Sequence, residues 1–162
     1  MPEVGVTEWT LSNGVRVLVK PTDFQADQVL MRAYSPGGTS LVSDRDYVAG
    51  VTATSVVQAG GVGAFSAITL GKRLAGKAVS VEPTILDDQE GVSGSASPQD
   101  LELMLQLTYL YFTAPRADSA AFTALRQQLR AALADRGASP EVAFGDTLQA
   151  LLTQHHPRAR PF

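Results

Sequence analysis

Apolar residues alternate early in this chain and recur at helical spacing late in it, and that shift of period restricts the fold more than any other feature. In residues 8–20, Trp9-Thr10-Leu11 and the alternating Val15, Val17 and Val19 flank Asn13-Gly14. Asn-Gly tolerates the two positive φ values of a type I′ turn, so the segment is expected to form a β-hairpin. Residues 28–35 alternate again, with Val29, Met31 and Ala33 on one face, and stop at Pro36-Gly37-Gly38. Residues 78–85 and 89–95 supply two more strands across Leu86-Asp87-Asp88.

Residues 44–60 pose a conflict. Val48, Val51, Thr52, Thr54, Val56 and Val57 are β-branched and favour a strand. The stretch is too long for a typical strand, opens at the N-cap candidates Ser43 and Asp44, and closes on Gly60-Gly61, so a helix is predicted. Its small residues Ala49, Gly50 and Ala53 let another backbone come close. A short helix is predicted over residues 66–74, ending at Gly76.

Ser97-Pro98-Gln99-Asp100 is a helix start, with Ser as N-cap, Pro in the first turn and an acceptor three residues on. The helix it opens carries Leu101, Met104, Leu105, Thr108 and Phe112 on one stripe, and Leu103, Leu107, Leu110 and Tyr111 cover much of the rest. A helix apolar nearly all round is either buried on two sides or faces another domain. Residues 118–136 place Phe122, Leu125, Leu129, Ala132 and Leu133 inside and Arg126, Gln127 and Arg130 outside. Ser139-Pro140-Glu141 repeats the cap signature before Phe144, Leu148, Leu151 and Leu152. Residues 155–162 are an aperiodic tail expected to be solvated. Strands grouped early and helices grouped late indicate an α+β layered sandwich, a mostly antiparallel sheet flanked by helices.

A chain of 162 residues can bury one globular core, and its 44% hydrophobic content is ordinary for that class. The formal net charge of −3 attracts neither nucleic acid nor anionic membrane. The absence of cysteine removes disulfides, thiolate-bound metals and thiol nucleophiles, and suits cytosol and periplasm equally. Residues 1–10 have no basic n-region and no apolar h-region, so no secretory signal is expected there. No apolar run approaches the roughly 18 residues of a membrane span.

The order of these segments resembles a known family. Leu11-Ser12-Asn13-Gly14-Val15-Arg16-Val17-Leu18-Val19 is similar to the opening hairpin of M16 (pitrilysin/insulinase-like) zinc metallopeptidase domains, where L-x-N-G-x-x-v-x-v recurs. Ser35-Pro36-Gly37-Gly38-Thr39-Ser40 resembles the turn after their next strand. Residues 109–118 look like the helix-to-helix link of their non-catalytic domains. Gly91-Val92-Ser93-Gly94-Ser95, Ser97-Pro98-Gln99-Asp100-Leu101 and Pro157-Arg158 fit the same pattern. The resemblance covers most of residues 8–160. It implies that residues 1–162 are the leading part of one M16-like domain of a longer, multidomain peptidase.

Active M16 domains carry H-x-x-E-H on the helix after the third strand, two His binding zinc and the Glu activating water, with a distant Glu completing the site. By the resemblance, the motif falls here on Ala53, Val56 and Val57, and the distant Glu on residues 131–134, which hold no carboxylate. The site is therefore expected to be absent: no catalytic and no metal-binding residue is assigned to this chain, and zinc is expected in a sibling domain. Independently, the two histidines, His155 and His156, are adjacent, and neighbours on a helix diverge by about 100°.

Other candidates yield bland readings. Gly60-Gly61-Val62-Gly63 lacks the Lys-Ser/Thr of a phosphate loop and reads as a helix end and tight turn. Asp87, Asp88 and Glu90 lack calcium-loop spacing and read as a solvated hairpin turn. Ser93, Ser95 and Ser97 have no upstream histidine to act as base. Lys72-Arg73 and Lys77 read as a wet helix face. The expected function is a non-catalytic segment of a bacterial zinc peptidase that walls a peptide chamber and packs against sibling domains or a dimer partner. The alternative is a scaffold like the inactive M16-related core subunits of respiratory complexes. No peptide-binding residue is singled out.

Overall fold

The computed structural model describes residues 2–136 and 139–159. A hairpin of β1 (Thr7–Thr10) and β2 (Arg16–Val19) comes first, then β3 (Val29–Pro36), α1 (Tyr47–Gly60) and α2 (Ala67–Leu74). The antiparallel pair β4 (Val79–Ile85) and β5 (Gln89–Ala96) follows, and α3 (Leu101–Thr113), α4 (Ser119–Arg136) and α5 (Pro140–Leu152) complete the chain. The main sheet has the order β3-β5-β4, antiparallel throughout, while β1 and β2 form a separate two-stranded sheet. Helices α1 and α3 cover one face of the main sheet, and α4 packs on α1. This is the α+β layering expected from the early strands and late helices.

The hairpin differs from expectation in its turn. Among the described residues only Gln154 and His155 are non-glycines with positive φ, so Asn13 stays in the ordinary region and the turn is not type I′. Gly14 alone takes positive φ, at 85°. The Leu11 N–H donates to the Val15 carbonyl and the Gly14 N–H to the Leu11 carbonyl, which makes a three-residue loop. Asn13 contributes by accepting the Val15 N–H on its Oδ1.

Register sorts the sheet into two faces. Val29, Ala96 and Val79 stand in one row, Met31, Gly94 and Val81 in the next, and Ala33, Val92 and Pro83 in the third, all facing the helices. Gly94 leaves a gap in the middle strand that the Met104 side chain and the Met31 methyl approach closely. That gap fixes the rotation of α3. Met104 and Leu107 are buried and Leu101, Leu103, Leu110 and Tyr111 pack on the core, whereas Leu105 and Phe112 of the expected stripe are exposed. A helix with apolar residues on every side allows several rotations, and the sheet chooses among them.

The loop after β3 is stitched to the β4–β5 turn. The N–H groups of Gly37, Thr39 and Ser40 donate to the carbonyls of Asp88, Leu86 and Asp87. Gly38, at φ 65°, lies so close to the Leu86 carbonyl that a Cβ there would overlap it. Helix α1 consequently begins at Tyr47, later than Ser43 and Asp44 suggested. The Ser43 and Asp46 side chains bond to each other at 2.8 Å. Asp44 turns away to an arginine described below.

The two Ser-Pro caps read from the sequence, Ser97 and Ser139, are formed. Ser97 Oγ accepts the Asp100 N–H at 3.2 Å. The Asp100 carboxylate accepts the Ala78 N–H at 3.0 Å and the Ser97 hydroxyl at 3.1 Å, and it meets Lys77 at 3.4 Å. These donors, Ala78 first, hold it below the usual carboxylate range against the effect of partial burial. Asp118 is lowered mainly by the Ala121 N–H at the start of α4, and Asp146 by Arg136, which bridges α4 to α5 at 2.6 Å. Ser139 caps α5 through the Val142 N–H and lowers Glu141 by donating to it.

The outer helices differ most from expectation. Phe122, Leu129 and Leu133 of α4, taken as inward-facing, are exposed, and so are Phe144, Leu148, Leu151 and Leu152 of α5. The reason is geometric: among the described residues α4 packs chiefly on α1, and α5 is tied by polar contacts of Asp146, at its middle, and Gln149, in its last turn. After α5 the backbone turns through two consecutive left-handed non-glycine residues, Gln154 at φ 52° and His155 at φ 57°. Each costs roughly 1–2 kcal/mol.

Two outcomes follow for stability. Met104→Ala, at 1% exposure, is expected to cost roughly 2–5 kcal/mol and Leu105→Ala, at 52%, under about 1 kcal/mol, in urea denaturation; equal losses would reject this rotation of α3. The second concerns acid. Asp100, Asp118, Glu141 and Asp146 all have folded values below their ordinary ones. Each therefore contributes stability that is present above its unfolded value of about 4 and lost as pH falls through the folded value. Thermal melts are expected to be flat from about pH 7 to 5 and to drop below about pH 4, and Asp100→Asn should lower the plateau while shallowing the acid limb.

Candidate functional site

Helix α1 follows β3, the position where the resemblance leads one to expect a zinc helix. It packs on β4 on one side and on α4 on the other. Ala53, Val56 and Val57 are half-buried within it. From residue 48 to residue 60 no side chain ionises, and the Thr52 hydroxyl is spent on the Val48 carbonyl at 2.7 Å. Residues 131–134 on the adjoining α4 are Ala, Ala, Leu and Ala, all exposed. These two helices offer a divalent cation no imidazole, carboxylate or thiolate at those positions. Among the described residues no three His, Cys, Asp or Glu side chains come together as a metal site.

The end of α1 is a junction. Gly61, at φ 88°, caps the helix by donating its N–H to the Val57 carbonyl. Val62 is 0% exposed and bridges both Phe65 and Pro115. The Gly63 N–H donates to the Ala114 carbonyl at 2.7 Å and the Arg116 N–H to the Gly61 carbonyl at 3.1 Å. The glycine-rich segment is thus the helix end and tight turn read from the sequence, and it anchors the α3–α4 link.

The remaining candidates fall apart from one another. Asp87 and Asp88 are exposed in the β4–β5 turn, but Asp87 is not simply solvated, since Thr39 Oγ1 donates to it at 3.3 Å. Ser95 accepts from Gln28, and Ser97 serves the α3 cap, so the serines build no nucleophile. Arg73 lies over the Phe65 ring at 5.6 Å and Lys77 pairs with Asp100, which removes them from the purely wet face expected. Of the α3 residues with two readings, Leu107 is in the core and Leu103, Leu110 and Tyr111 pack against it. Burial, and next the charge of Glu82, raises the Tyr111 hydroxyl above its ordinary range.

The largest correction is the tail. His156 Nδ1 accepts the Arg158 N–H at 3.2 Å, and the Arg158 side chain crosses back to the loop after β3. It binds Asp44 at 2.6 Å and two main-chain carbonyls, so residues 157–159 are docked. Only the residue pattern Pro157-Arg158 hinted at this, because a partner 114 positions away leaves no local periodicity. No helix among the described residues is long and apolar enough to cross a membrane.

No family model matches the chain. It is 38% identical over 112 residues to a zinc protease PQQL-like protein of Arabidopsis thaliana, covering 69% of this chain and 9% of that protein. It is 30% identical over 125 residues to the probable zinc protease PqqL of Haemophilus influenzae, covering 77% of this chain and 14% of that protein. In structure it resembles the periplasmic protease PqqL from Escherichia coli, with a TM-score of 0.78 and 21% identity over 98% of this chain and 17% of the other. The chain thus spans less than a sixth of the length of these two sequence relatives. The resemblance read from residues 8–160 agrees with these likenesses, and the chain belongs to the M16-type (pitrilysin/insulinase-like) zinc protease family.

Proposed function

We propose that these 162 residues form a pseudo-catalytic M16-like unit of a bacterial zinc protease, one that walls the peptide chamber and docks sibling domains without cleaving peptide bonds itself. The observation that carries this is the pairing of an M16-type fold with an α1 that presents Ala53, Val56 and Val57 where a zinc helix needs two imidazoles and a carboxylate. Zinc does not fit this chain, so no chemical step is assigned to it.

The part it can play is geometric. Among the described residues β3 pairs only with β5, which leaves its other edge open, and Leu30 and Tyr34 flank that edge at 73% and 69% exposure. The opposite edge strand, β4, contains Pro83, which has no N–H to offer. An extended peptide adding a strand would therefore use β3, where main-chain bonds give affinity without catalytic side chains. Packing of sibling domains is supported by the exposed apolar faces of α4 and α5 and by the length of the relatives. The scaffold alternative, a unit in a parent with no protease activity, is less favoured because both sequence relatives are named as zinc proteases.

Two measurements check the proposal. The purified chain is expected to hold less than about 0.1 equivalent of zinc after dialysis and to leave peptide substrates uncut, while the parent polypeptide binds zinc through an H-x-x-E-H elsewhere. Zinc-dependent turnover by the chain alone would overturn the pseudo-catalytic reading. A parent without that motif would transfer the chain to the scaffold class.

A further inference from the structure

Arg158 is held by a complete set of guanidinium-binding groups, and all of them come from one short stretch of chain. Its Nε donates to Asp44 Oδ1 at 2.6 Å, Nη1 to the Thr39 carbonyl at 2.9 Å and Nη2 to the Val42 carbonyl at 2.6 Å. Its guanidinium carbon stands 5.2 Å from the centre of the Tyr47 ring. Two neutral carbonyls, one carboxylate and an aromatic face suit a planar, delocalised cation with fixed N–H directions, and they suit a lysine ammonium less well.

The two halves of this contact are held very differently. The receiving half, residues 39–47, is anchored at Thr39, the one buried residue of that stretch. Thr39 is 3% exposed, its N–H bonds to Leu86, its hydroxyl bonds to Asp87, and its carbonyl also takes the Val42 N–H. None of these bonds involves Arg158, so the Thr39 and Val42 main chain, which supplies two of the three acceptors, is held without it. The donating half follows the two left-handed residues after α5, and around Arg158 it is held by the Gln149 side chain on the Ala159 carbonyl and by bonds internal to residues 156–159.

We propose that residues 39–47 form a binding site for an arginine side chain presented on a peptide, with Arg158 as an internal occupant that the peptide's arginine displaces. The internal residue competes as a tethered ligand with an effective concentration in the millimolar range. A peptide arginine gains the site when its neighbours add contacts, or when the segment carrying Arg158 is drawn away.

The test uses the 162-residue chain and Nα-acetyl-argininamide, followed by NMR shifts of the Thr39 and Asp44 amides and the Tyr47 ring. Wild type is expected to bind the probe at least tenfold more weakly than Arg158→Ala, which lacks the tethered competitor. Adding Asp44→Asn to Arg158→Ala should weaken the probe about tenfold, and Nα-acetyl-lysinamide should bind Arg158→Ala less tightly than the arginine probe. Should Arg158→Ala not fold, Arg158→Lys serves, since it keeps the charge and stem and holds the site less firmly; it too must bind the arginine probe more tightly than wild type. A folded variant with no saturable shifts, with equal affinity for both probes, or with binding indifferent to Asp44 overturns the proposal.

Discussion

Three main-chain hydrogen bonds decide how this chain is assembled. They join the loop after β3 to the turn between β4 and β5, residues about fifty positions apart, and they fix where α1 starts. From that start α1 lies against β4 and receives α4 on its far side. Its other end is pinned by Gly61 and Val62 to the α3–α4 link. The main sheet, the covering helices and the outer helix are therefore positioned through the two ends of α1. Because those bonds are between backbone groups, they hold whatever side chains α1 carries.

Most of the frame was legible because it is written in local signals. The strands announced themselves by alternation, and Ser97 and Ser139 by cap signatures whose side chains accept a backbone N–H three residues on. Residues 44–60 were correctly read as helix against their β-branched content, because length and flanking glycines outweighed propensity. That Ala53, Val56 and Val57 carry no donor atom was equally visible, since a side chain without one cannot acquire it by folding.

What escaped the sequence was set by partners remote in the chain. The rotation of α3 depends on the space above Gly94, and no property of Leu105 or Phe112 reveals that space. Asp44 was a good cap candidate by its neighbours and became an ion-pair partner of Arg158 instead. The exposure of Phe122, Leu133 and Phe144 reflects which surfaces the 162 residues supply to cover them, and an amphipathic pattern records only that a helix has an apolar side.

Gly38 and Gly91 carry a different kind of constraint. Beside Gly38 stands the carbonyl of Leu86, and beside Gly91 the carbonyl of Ala33. A crowded side chain can be relieved by a smaller residue across the core, so volume can be traded between positions over many generations. A backbone oxygen offers no such exchange, since every amino acid has one. Residues of this kind are closed to substitution whatever side chains the helices around them carry.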